Sequence, residues 1–137
     1  MSGETTRPQP AAKPVGRRRA RRQALFLLYQ WDLTGQPLAS LYEGEPDAFA
    51  RELASAVAAS APALDTRISA VSDGWPAERL GTLERNVLRI GVYELEEETV
   101  PADVAINEAI VLAKRYATED AARLVNGILG RIARERQ

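Results

Sequence analysis

The chain has 137 residues, a length that suits one domain. It holds no cysteine and no histidine, which excludes disulfides, thiolate and imidazole metal ligands, and histidine as a general base. Net charge is −1 but unevenly spread: residues 1–22 sum to +6 and the remainder to −7, a basic arm on an acidic body.

Residues 1–16 carry Pro8, Pro10 and Pro14 and almost no large apolar side chain, so a disordered tail is expected. The start has no apolar leader, and no apolar run approaches the roughly 20 residues that span a bilayer. A cytoplasmic protein without membrane contact is expected. Helical periodicity begins at Arg17, with Ala24, Leu27, Leu28 and Trp31 on one face, and Gly35 and Pro37 end it. Pro46-Asp47 opens a second helix with Phe49, Leu53, Ala56 and Val57 on one face; Pro62 is expected to close it. Asp65 is the predicted N-cap of a third helix through Ile68 and Val71, stopped by Ser72-Asp73-Gly74. Trp75-Pro76 starts a short segment ending at Gly81. Thr82 is the predicted cap of the next helix, where Leu83, Val87, Ile90 and Leu95 fall near one face. Val100-Pro101 makes a turn. Ile106, Ala109, Ile110 and Ala113 then repeat at helical spacing. Thr118 caps a last helix carrying Ala121, Leu124, Val125, Ile128 and Ile132. No stretch alternates as a strand would. The expected fold is an all-α bundle of about seven helices, in two halves of about 17–63 and 64–137.

The sharpest feature is Arg17-Arg18-Arg19-Ala20-Arg21-Arg22. On a helix, Arg17, Arg18, Arg21 and Arg22 form one basic face that would neutralise phosphates and release their counterions. Phe26, Tyr29 and Trp31 follow, as base-stacking or as core residues; Trp31 is assigned to the core. The alternative is a general protein-interaction module whose basic arm serves solubility or non-specific polyanion contact. Arginines at a helix start oppose the helix dipole unless an anion approaches. Glu108 reads equally as a solvated residue or as a partner for another helix end. Gly127, costing about 1 kcal/mol inside a helix, points to close packing or close ligand approach. No phosphate-binding glycine loop or nucleophile elbow occurs, so catalysis is not expected.

Three stretches together resemble the NusB family of transcription antitermination factors: RRRARRQALFLLYQW at 17–31, LERNVLRIGVYEL at 83–95 and VPADVAINEAIVLAKRYATEDAARLVNGIL at 100–129. The resemblance spans 17–132 and implies the all-α NusB fold, two helical subdomains packed across each other. It implies binding to the boxA element of nascent ribosomal RNA leaders, together with the small-subunit ribosomal protein also called NusE. It also implies a place beside RNA polymerase and other Nus factors, and no cofactor. Some family members dimerise, so a homodimer is among the assemblies considered. By position, Arg17, Arg18 and Arg21 match the family's RNA-contacting start, with Arg22 beside them on the basic face. Tyr29 and Glu84 match residues of the ribosomal-protein surface, and Asp120 an acid near RNA and partner. Leu124 stands where the family usually has Phe, and is then read as core; Ala121 replaces a usual Ser. Replacing Arg18 and Arg21 together is expected to weaken RNA binding with little change in melting temperature.

Overall fold

The computed structural model describes residues 16–73 and 76–136. Of the predicted tail, 1–16, all but Gly16 lies outside the described residues, as does the Gly74-Trp75 pair. Among those described there are five α-helices, two short 3-10 turns and no strand.

Helix α1 (Arg17–Thr34) buries Ala20, Ala24, Leu25 and Leu28 and ends at Gly35, whose φ of 76° suits a residue without a Cβ. A 3-10 turn at Leu38–Leu41, unforeseen in the sequence, leads toward α2. Asp47 caps α2 (Ala48–Val71) by accepting from the Ala50 amide at 3.2 Å.

Pro62 does not close this helix; it lies inside α2. The two predicted helices on either side of it are one, and the expected boundary at 63/64 falls within it. Proline in a helix interior costs about 3 kcal/mol. Here its ring sits on the exposed side, while Leu53, Val57, Leu64 and Ile68 on the other side bury into one core. Packing on both flanks outweighs the local defect. Asp65 is therefore no cap, and its carboxylate accepts from Arg89 instead.

The segment after Trp75 shrinks to a 3-10 turn, Ala77–Arg79. Gly81, not Thr82, holds the N-cap position of α3 (Thr82–Glu97). The reduction of the 75–81 segment to a 3-10 turn and the merged α2 account for five α-helices among the described residues instead of about seven. Helix α4 (Ala102–Tyr116) and α5 (Glu119–Glu135) follow, with Thr118 capping α5 as expected, its hydroxyl accepting from the Ala121 amide at 2.9 Å.

Helix α3 packs against all four other α-helices and is the centre of the core. Val87, Leu88, Ile90 and Val92 are all nearly inaccessible there. At Gly91 an added Cβ would stand 2.5 Å from Leu129 Cδ1 of α5. Leu129 is fully buried and has nowhere to go. Gly91→Ala is therefore expected to destabilise by about 1–3 kcal/mol through overpacking. Gly127 differs: it is exposed, and nothing lies within 4 Å of an added Cβ. The close packing proposed for it is absent, and Gly127→Ala is expected to stabilise by about 0.4–1 kcal/mol. Urea titrations of both variants check the opposite signs.

Candidate nucleic-acid and partner interface

The arginines of α1 do not form the uniform basic face expected from their spacing. Arg21 points inward: it is 4% exposed and its Nε donates to both carboxylate oxygens of Glu94 on α3, at 3.1 and 3.0 Å. Glu94 is itself 1% exposed. Burial pushes its carboxyl up, against the pull of Arg21. Arg18 lies outside, with its side chain 63% exposed, yet it donates through Nε and an Nη to the two oxygens of Glu108 on α4, at 3.1 and 2.9 Å. That fork holds the Glu108 carboxyl below its ordinary value, against partial burial. The anions that an arginine-rich helix start requires thus come from within the fold, and Glu108 is a partner for a helix end. Arg17 covers the Phe49 ring, 4.0 Å from its centroid.

Arg19 and Arg22 have no ion pair among the described residues. With Arg18 they line one side of a cleft of about 330 Å³; Val111, Leu112, Arg115 and Tyr116 of α4 line the other. The Arg115 guanidinium lies 5.7 Å from the Tyr116 ring centroid. Phe26, one turn beyond Arg22, meets Tyr116 edge to face with centroids 5.0 Å apart and stays 43% exposed. Sequence reasoning missed Arg115 and Tyr116, because nothing local marks them as facing α1.

Phe26 also opens a second concavity, about 480 Å³, on the other side. It runs between α1 and the segment after the first 3-10 turn, lined by Leu27, Tyr29, Gln30, Leu41 and Tyr42 among others. Tyr29 thus lies in a groove that adjoins the basic cleft. Glu84 does not line that groove; its carboxylate folds back over Gly81 at the start of α3. The two elements meet next to it, where Asp32 accepts from Arg85 at 2.9 Å and from Asn86 at 3.0 Å. Trp31 packs against the core as expected, below the Arg89 guanidinium.

Asp120 is exposed in the first turn of α5 and pairs with Arg123. Leu124, one turn on and on the same face, is 38% exposed and is not a core residue. Its position in the apolar repeat of α5 was shared by Val125, which takes the core side instead.

A model of the NusB family matches residues 18–134. The transcription antitermination protein NusB of Rubrobacter xylanophilus is 40% identical over 122 residues, 84% of this chain and 88% of that protein. That of Serratia proteamaculans is 44% identical over 131 residues, 88% of this chain and 94% of that protein. Among solved structures, T. maritima NusB superposes with a TM-score of 0.80 at 35% identity, covering 89% of this chain and 93% of that one. A crystal structure of the antitermination factors NusB and NusE with double-stranded RNA contains a chain with a TM-score of 0.76 at 31% identity, covering 87% and 96%. With its all-helical fold and this extent of identity, the chain belongs to the NusB family.

Proposed function

We propose that this protein is an RNA-binding transcription antitermination factor of the cytoplasm, acting without a cofactor or chemistry of its own. In this reading residues 17–137 form one RNA-binding domain, with RNA contacts between α1 and α4 and protein contacts in the groove beside α1. It binds the boxA element of nascent ribosomal RNA together with a NusE-type ribosomal protein, beside RNA polymerase and other Nus factors, and suppresses premature termination. The observation that carries the reading is the exposed arginine cleft of α1 and α4 adjoining the Tyr29 groove at Phe26. RNA in the cleft and a protein in the groove would touch at one shared edge, so each would stabilise the other. Glu84 and Asp120 extend the partner and RNA sides, and a homodimer covering this face would compete with both.

Fluorescence anisotropy with a short boxA RNA and a scrambled control, with and without the ribosomal protein, tests this. The expected result is tighter boxA binding in the presence of the partner and, for about four phosphate contacts, a log–log salt slope near −3. Equal binding of boxA and scramble under every condition would favour the alternative, a generic polyanion-binding arm.

Glu108 sets a finer expectation. It occupies the fork of Arg18 that a phosphate would otherwise take. Glu108→Gln removes that competing charge. Binding is expected to tighten and the salt slope to steepen by about 0.7, one more phosphate on a single strand. A weaker complex would mean that Glu108 serves to hold Arg18 in place.

A further inference from the structure

We infer that the phosphate-binding charge of this face is supplied by Arg19, Arg22 and Arg115, with Phe26 and Tyr116 as the platform for an adjacent unpaired base. The inference rests on the RNA-binding reading and names the residues of that site.

Arg18 and Arg21 face Glu108 and Glu94, two cations against two anions. Arg21 also approaches Glu108, at 4.0 Å. A phosphate arriving at this pair meets a neutral cluster, and Arg21 is too deeply buried to reach it. Arg19, Arg22 and Arg115 meet no carboxylate among the described residues, and all three line the same cleft. Three uncompensated guanidinium groups around one concavity suit a phosphodiester, whose oxygens accept from the planar donor forks.

Spacing places the base. Arg19, Arg22 and Phe26 follow at i, i+3 and i+7, one stripe along α1. Arg115 and Tyr116 oppose that stripe from α4. Phe26 stands edge to face with Tyr116, so one ring supports the other while Phe26 keeps an open surface. A nucleotide whose phosphate enters the cleft carries its base toward these rings. A duplex cannot offer an unstacked base, so the site takes single-stranded RNA.

The test measures RNA binding of the full chain at several salt concentrations, with Arg18→Ala, the pair Arg19→Ala and Arg22→Ala, Arg115→Ala, and Phe26→Ala. The paired variant and Arg115→Ala should each weaken boxA binding at least ten-fold, and the pair should flatten the salt slope by about 1.4. Phe26→Ala should weaken binding roughly ten-fold and leave the slope unchanged, since stacking releases no counterions. Arg18→Ala should change affinity less than three-fold. If Arg18→Ala costs more than the Arg19 and Arg22 pair, the inference is overturned. If Phe26→Ala has no effect, its stacking half is overturned. Should wild type fail to prefer boxA over scramble, the antitermination reading fails on its own. The same variants measured on the scramble then decide whether the cleft holds phosphate.

Discussion

Arg21→Ala is expected to lower stability by about 3–5 kcal/mol, the range for stranding one member of a buried ion pair. For a chain of this size that is a fall of roughly 10–20 °C in melting temperature. The reason lies on the other side of the contact. Glu94 sits in the last turn of α3 with 1% exposure, and Arg21 donates to both of its oxygens. Without Arg21 the carboxylate must stay charged with no strong donor, or take up a proton; both cost free energy. An apolar pair of similar volume removes the charge altogether, so Arg21→Met with Glu94→Leu should recover most of the loss. Circular-dichroism melts of the single and double variants measure this. A single variant within about 1 kcal/mol of wild type would contradict the structural role assigned to Arg21. The joint replacement of Arg18 and Arg21 therefore cannot serve as a clean probe of RNA binding, contrary to the expectation from sequence.

That contrast shows what one-dimensional spacing conveys. Some helix ends were legible because they depend on neighbours within a turn or two: Gly35, Asp47 and Thr118 act where they stand, whereas Asp65 and Thr82 do not cap. The direction taken by Arg21 was not, because its partner lies 73 residues away on α3. Pro62 misled for a related reason. Its local cost is real, but the apolar residues that outweigh it pack against helices on both sides of α2 in the chain. The cleft follows the same rule. Its α1 half was visible as an arginine run, whereas Arg115 and Tyr116 acquire meaning only once α4 lies beside α1. Leu124 and Val125 are adjacent apolar residues, and only the packing of α5 decides which of them faces water.

Arg89→Ala is expected to cost about 3 kcal/mol, at the low end for a buried pair because one of its partners, Asp65, is partly solvated. Arg89 joins three helices. It donates to Asp65 of α2 at 2.8 and 2.7 Å, to Asp32 of α1 at 3.0 Å and to Asn86 of α3 at 3.0 Å. Lysine has no planar fork with which to satisfy two carboxylates at once, so Arg89→Lys should recover little. The network also leaves a signature in acid. Burial alone would raise the Asp32 carboxyl, but Arg85, Asn86 and Arg89 together outweigh it and hold it below its ordinary 3.8. A carboxylate lowered in the folded state adds stability above its unfolded value, and loses it as pH falls through the folded value. Removing Arg89 takes away part of what lowers Asp32, so the folded value moves back toward the unfolded one. Wild type should therefore lose more stability than Arg89→Ala as pH falls from neutral to below the value of the free carboxyl, through the lowered folded value of Asp32. Glu108, lowered by Arg18, contributes equally to both proteins and drops out of the difference. Urea midpoints for the two proteins at each pH measure it. An equal acid loss in both would separate Arg89 from Asp32 and leave Arg85 as the residue that sets the Asp32 charge.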